Sequence, residues 1–265
     1  MTADIAIIGG TGLYQPELLE EVGEMVVETE YGPVSLKTGK LKGKRVAFLA
    51  RHGEKHTIPP HLINYRANIC ALQKIGVKRV LATAATGSLN LEMEPGHMVI
   101  INQFIDFTKN RPSTFFDDGR EVVHVDMTEP YCPELRRCLI KAARQLGLPH
   151  HPGGTYVCTE GPRFETPAEI RAYQLLGGHV VGMTNVPEVV LAREAEICYA
   201  TVAVVTNYAA GISPHPLTHQ EVLDAMAKNN ENLRRLVLAA IDLIPEERGC
   251  ECGQALGRLG QLTQK

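Results

Sequence analysis

Short apolar runs rich in Val, Ile and Ala alternate along the chain with stretches of helical period, and most of the runs end in Gly, Thr, Ser or Asn. Runs of this kind bounded by small polar residues read as buried strands. They predict strands at 4–8, 45–50, 79–84, 98–101, 155–158, 179–181 and 197–206. The 197–206 run (ICYATVAVVT) is apolar on both faces, the mark of a central strand covered on both sides. Between the runs, apolar residues at helical spacing predict helices over 64–75, with Gly76 as the stop, and over 134–146. Thr166, Pro167 and Glu169 form an N-cap, a first-position proline and a capping-box partner, which starts another helix. Thr218-His219-Gln220-Glu221 reads as a second capping box, opening a long helix that runs to 244. Alternation of strands and helices points to a single-domain α/β fold in three layers, a central mixed sheet flanked by helices.

Composition narrows the partners more than the fold. The chain has 265 residues, of which 44% are hydrophobic, and no repeat or low-complexity block interrupts them. One domain over 1–245 accounts for the pattern, followed by a charged, Gly-rich tail over 246–265 that looks poorly packed. With 27 Lys and Arg against 30 Asp and Glu, the formal charge of −3 gives no electrostatic grip on nucleic acid or an anionic membrane. Met1-Thr2-Ala3-Asp4 lacks the basic start of a signal peptide, and no apolar run reaches the ~18 residues of a membrane span. The expectation is a cytoplasmic protein.

Of seven cysteines, Cys70, Cys132, Cys138, Cys158 and Cys198 stand singly in apolar or periodic surroundings without zinc-type spacing, and read as buried thiols. Cys250 and Cys252 form a Cys-x-Cys pair in the tail. That pair fits a redox-active or disulfide-bonded end and equally a frayed terminus.

The chemistry gathers at strand ends, where open α/β sheets collect ligands. Gly9-Gly10-Thr11-Gly12 offers backbone N–H groups and a hydroxyl to an oxyanion, although a plain turn fits as well. It lacks the third glycine of a dinucleotide fingerprint and the Lys-Ser/Thr of a P-loop. Arg51-His52-Gly53 places a guanidinium able to clamp phosphate beside an imidazole that adds a donor; a solvated Arg and a capping His are the plainer alternative. Thr184 supplies a further hydroxyl or a helix cap, and Asn207 closes the long buried strand.

In order along residues 4–244 stand GGTGL (9–13), LARHGEKHTIPPHLINYRANI (49–69), TAATGSL (83–89), TEGPRFETPAE (159–169), GMTNVPEVVLARE (182–194) and TNYAAGIS (206–213). Through these the chain resembles the trimeric purine nucleoside phosphorylase and methylthioadenosine phosphorylase family. QFIDFTKNRP (103–112) is similar to the methylthioadenosine branch. The resemblance implies a nucleoside phosphorylase-like fold and a pentosyl transfer in which inorganic phosphate attacks C1′ of a purine nucleoside. It implies no metal or organic cofactor, and a homotrimer or dimer of trimers. By position it implies a phosphate site of Thr11, Arg51, His52, Ala85 and Thr184. Ala84 stands where a threonine is usual, which puts one hydroxyl contact in doubt. Met183 is implied against the ribose, His56 near the sugar and Phe164 on the base.

Three positions speak for the substrate. Asn207-Tyr208-Ala209 replaces the Asp-x-Asp of the methylthioadenosine enzymes. An amide can donate to a 6-oxo group and accept from a protonated N7, whereas an aspartate suits a 6-amino group. Glu165 replaces a serine usual in adenine-directed enzymes, and its carboxylate accepts from the N1–H that hypoxanthine and guanine possess. His219 aligns with the histidine that bonds the ribose 5′-hydroxyl, where methylthio-directed relatives carry an apolar residue; a helix-capping His is the alternative. The expectation is a 6-oxopurine nucleoside phosphorylase with Asn207, His52 and Arg51 in the catalytic roles. The alternative is a methylthioinosine or methylthioadenosine phosphorylase.

Overall fold

A computed structural model describes residues 2–10, 19–119, 122–212 and 218–257, the side chains of His219 and Glu221 excepted. Among the described residues, eleven strands form one mixed sheet. They are β1 (Ile5–Gly9), β2 (Glu20–Val27), β3 (Val34–Leu41), β4 (Lys44–Ala50), β5 (Arg79–Ser88), β6 (Met98–Ile100), β7 (Gln103–Phe107), β8 (His150–His151), β9 (Thr155–Thr159), β10 (Val180–Gly182) and β11 (Cys198–Tyr208). Five helices cover it: α1 (Tyr65–Lys74), α2 (Pro133–Gln145), α3 (Pro167–Leu175), α4 (Asn185–Glu194) and α5 (His219–Leu243). One apolar cluster joins the sheet to α1 and α4, and a second joins it to α2 and α5, which gives the three layers.

The expected helices and strands are present with ends shifted by a residue or two, β5 excepted, and Thr166 and Glu169 form the reciprocal capping box at α3. Four strands go beyond the sequence reading, the two-residue β8 among them. β2 carries exposed acidic residues on a sheet edge, where one face has little to bury. β3 alternates buried and exposed positions over much of its length, a period-2 signal that polar neighbours obscure. β7 is a short edge strand that, among the described residues, pairs with β9 alone.

β5 organises the site. It runs through Ser88, past the expected end at residue 84, because β11 pairs with it in parallel along its whole length. On its other side β1 pairs with residues 79–82, and antiparallel β10 takes over at Gly87 and Ser88. The sheet therefore splits beside residues 83–86, at the carboxyl end of β1. Such a divergence leaves a crevice in an α/β sheet and is a usual place for a ligand. On the far side of β5, the register of β11 slips between Val205 and Asn207. A bulge of this kind re-aims the side chain that follows it.

Residues 246–257 pack onto the domain rather than fraying. The Gly249 N–H donates to Glu134 Oε2 at 2.8 Å, the Leu256 N–H to Glu196 Oε1 at 3.1 Å, and Arg79 Nη2 to the Glu246 carbonyl at 3.2 Å. Among the described residues, no helix is long and apolar enough to cross a membrane.

Candidate active site

A cavity of about 720 Å³ opens where the sheet splits. Its floor is Thr83 to Gly87 of β5 and its walls come from β4, β10, β11, the 159–165 loop and α5. Arg51, His52, His56, Ala85, Phe164, Glu165, Met183, Thr184, Asn207 and Ala209 all line it. Thr11 lies outside the described residues, although Gly10 just before it borders the cavity. His219 opens α5 and its side chain also lies outside them. From the same helix, Val222, Leu223 and Met226 present an apolar wall.

One end of the cavity is built for an anion. Arg51, at the end of β4, is 4% exposed. Its Nε and Nη2 donate to the two carboxylate oxygens of Glu188 at 2.7 and 2.6 Å, and Nη1 donates to the Thr83 carbonyl at 2.8 Å. A guanidinium has five N–H donors, so two remain for a ligand. The Glu188 carboxylate, fully buried on α4, also accepts from the Tyr199 hydroxyl at 2.7 Å. Burial alone would push the Arg51 guanidinium pKa down; the facing carboxylate more than offsets this, so the pKa is raised and the charge permanent. Glu188 falls inside the 182–194 motif, but nothing local gives it this role, because its partner Arg51 lies 137 residues away.

His52 behaves differently from the expected donor. Its Nδ1 donates to the Ile58 carbonyl at 2.8 Å, since a carbonyl can only accept. Burial, reinforced by Arg51 and His56, lowers its pKa to about 4. The ring is then neutral at pH 7, and Nε2 presents a lone pair rather than an N–H. Thr184, just before α4, makes no side-chain capping bond and lines the cavity with Met183, while the backbone turns non-helical at Val186 before the regular part of the helix begins.

The other end offers flat apolar surface and two fixed polar groups. The Thr206 hydroxyl lies 2.7 Å from Asn207 Oδ1, and Asn207 Nδ2 donates to the Tyr208 carbonyl at 2.9 Å. Those bonds orient the amide and leave one N–H and one lone pair unused. Glu165 Oε1 accepts from the Thr159 hydroxyl at 2.7 Å, and burial pushes the carboxyl pKa up despite that bond.

Between the two ends, Met183 packs over Gly161, whose φ of +65° and a distance of 2.5 Å from a would-be Cβ to the Met183 sulfur both require glycine. Arg111, within the 103–112 motif, is the second residue the sequence reading left without a role. Its Nη1 donates to the Met183 and Val186 carbonyls, both at 2.7 Å, and Nη2 donates to the Glu160 carbonyl at 2.7 Å. One buried guanidinium thus ties the loop before Glu165 to the strand end carrying Met183 and Thr184.

The crevice thus joins a charged anion pocket to an apolar slot with an amide and a carboxylate, a concave apolar site with a few convergent polar groups. The chain belongs to the phosphorylase superfamily, whose family model matches residues 4–242. It is 61% identical over 254 residues to the probable 6-oxopurine nucleoside phosphorylase of Dictyoglomus turgidum, covering 95% of this chain and 96% of that one. Against the 6-oxopurine nucleoside phosphorylase of Pyrococcus furiosus the identity is 60%, covering 95% and 97%. A crystal structure of a methylthioadenosine phosphorylase from an antarctic soil metagenomic library superposes with a TM-score of 0.91 at 41% identity, covering 97% of this chain and 92% of that one.

Proposed function

We infer that this enzyme is a 6-oxopurine nucleoside phosphorylase, converting inosine or guanosine and phosphate to the free base and ribose 1-phosphate. The observation that carries the reading is the presence of Asn207 and Glu165 in one cavity with Arg51 and His52. In this reading the two free N–H groups of Arg51, with Ala85, Thr184 and Thr11, hold phosphate beneath C1′. As the glycosidic bond breaks, negative charge moves onto the purine. The Asn207 amide donates to O6 and accepts from the protonated N7, where that charge collects. The Glu165 carboxylate accepts from N1–H, Phe164 covers the base, and Met183 and His219 meet the sugar. Phosphate is itself the nucleophile, so the reaction takes no cofactor. We read the working form as a cytoplasmic homotrimer or dimer of trimers, a reading that sedimentation of the purified protein checks.

The test is a set of initial rates with inosine, guanosine, adenosine, methylthioinosine and methylthioadenosine, with and without phosphate. Phosphate-dependent cleavage of inosine and guanosine well ahead of adenosine is expected; the reverse order would defeat the base assignment. A second reading, methylthioinosine as the preferred substrate, draws on the apolar wall of Val222, Leu223 and Met226. Faster cleavage of methylthioinosine than of inosine would favour it.

Two further predictions arise from the polar groups. With its pKa raised by burial, Glu165 loses its carboxylate at a higher pH than an exposed glutamate would. Acidification towards that pKa should therefore lower kcat/KM for inosine more than for adenosine, and Glu165→Gln should flatten the difference. Equal profiles for the two substrates would exclude the Glu165 contact. His52, with Nε2 unprotonated, suits the P–OH of monohydrogen phosphate and has nothing to offer sulfate, which carries no proton. Inhibition by sulfate should be weak, and His52→Ala should narrow the phosphate-to-sulfate ratio by roughly tenfold, the scale of one buried hydrogen bond. A ratio unchanged in that variant would refute the acceptor role.

A further inference from the structure

Four of the seven cysteines converge on one point of the fold, far apart as they are in sequence. Cys132 is the N-cap residue of α2, Cys198 is the first residue of β11, and Cys250 and Cys252 flank the start of a short 3₁₀ turn at Glu251–Gln254. Their four sulfurs all lie within 4.8 Å of one another. Cys198 and Cys250 are 3.3 Å apart at sulfur, and Cys132 and Cys250 are 3.6 Å apart. Cys132, Cys198 and Cys252 are buried, and none of the four lines the cavity described above.

From this cluster we propose a structural metal site: Cys132, Cys198, Cys250 and Cys252 bind one zinc ion per chain through four thiolates. Zinc sits about 2.3 Å from each sulfur of a tetrahedral Cys₄ site, which sets neighbouring sulfurs about 3.8 Å apart. The spacing here falls around that figure, so small side-chain rotations close the tetrahedron. The donor set is all sulfur, without carboxylate or imidazole, which suits a soft ion and excludes calcium or magnesium. Binding is a displacement without electron transfer: four thiols give up four protons as Zn²⁺ takes the four sulfurs.

The cluster stands ready before any ion arrives, because polar contacts already dock the tail. The Gly249 N–H on Glu134 and the Leu256 N–H on Glu196 fix the chain on either side of the Cys-x-Cys pair, and the Cys132 N–H donates to the Tyr199 carbonyl at 2.8 Å. A bound ion would fasten three segments together: the start of α2, the start of β11 and the tail. β11 carries Cys198 at one end and Asn207 near the other, so the ion braces the strand without touching the chemistry. Its loss should lower the melting temperature and leave initial rates of phosphorolysis unchanged.

The full chain, purified under reductant without metal-affinity chromatography, tests the site by metal analysis and by titration with a mercurial in the presence of a zinc-sensitive dye. About one zinc per chain is expected, released as four of the seven thiols react. Cobalt substituted into the stripped protein should show the intense visible bands of tetrahedral thiolate ligation. Cys250→Ser and Cys252→Ser should each weaken zinc binding at least tenfold while inosine cleavage persists. The cobalt spectrum of the unmodified chain decides the matter even where a variant does not fold. Less than about a tenth of an equivalent of zinc after incubation of the reduced protein with the ion would overturn the proposal. So would iron in place of zinc, or a mass lowered by two hydrogens per bond, which would show the same sulfurs paired as disulfides.

Discussion

Asn207→Asp is expected to turn the base preference over, and with Glu165→Ser the shift should be largest. In the parent cavity, Asn207 Nδ2 lies against the Tyr208 carbonyl at 2.9 Å with one N–H still free, and Oδ1 is held by Thr206. Replacing the amide nitrogen by oxygen removes the donor for O6 and sets a carboxylate oxygen against that carbonyl. Repulsion turns the group towards the base, where a 6-amino group can donate to it and a 6-oxo group cannot. Removing one donor from developing charge costs about 10²–10³ in kcat. Inosine kcat/KM should fall on that scale while adenosine cleavage rises. Glu165→Ser removes the acceptor for N1–H, worth a further ~1–3 kcal/mol of discrimination. The ratio of inosine to adenosine kcat/KM in the two single variants and the double variant checks this. A ratio that stays within twofold of the parent in all three would mean that neither residue reads the base.

The second large effect belongs to Glu188, which touches no substrate. Its carboxylate takes two N–H groups of Arg51 and the Tyr199 hydroxyl, all within 2.7 Å, in a fully buried setting. Removing one partner of a buried pair leaves an uncompensated charge, at a cost of about 3–5 kcal/mol. At roughly 2–4 °C per kcal/mol for chains near this size, Glu188→Ala should lose on the order of 6–20 °C in melting temperature. Glu188→Gln, which keeps the shape and part of the hydrogen bonding, separates position from stability. With the guanidinium no longer held by a carboxylate, KM for phosphate should rise at least tenfold while KM for inosine changes little. A parallel rise in both constants would assign Glu188 a general packing role instead of the orientation of Arg51. Added phosphate should also raise the melting temperature of the glutamine variant, since the anion binds the folded state alone.

Much of the scaffold was legible because its signals are local. The α3 capping box needs only Thr166, Pro167 and Glu169, and the structure forms it as the spacing predicts. The buried character of β11 is written in consecutive apolar residues. The candidate site was legible by two routes: Arg51, His52, Ala85, Thr184 and Asn207 stand near strand ends, where such sheets collect ligands, and Phe164, Glu165 and His56 were named through the resemblance to the phosphorylase family. Ten of the positions named from sequence line the cavity, His56 among them. The edge strands β2 and β7 were not legible, because a strand half exposed at an edge needs no apolar run.

The sequence by itself determined the α/β alternation, the start of α3 and the residue types at the strand ends, since each follows from the conformational and solvation preferences of neighbouring residues. Tertiary structure alone decided which distant groups meet. The split beside β5, the bulge before Asn207, the Glu188 carboxylate under Arg51, the Arg111 tie and the four-sulfur cluster all join segments that no short spacing relates. Charge states followed the same division. His52 carries the same imidazole in any sequence context, but burial and the Ile58 carbonyl make it an acceptor, and both arise only when the chain has closed around it.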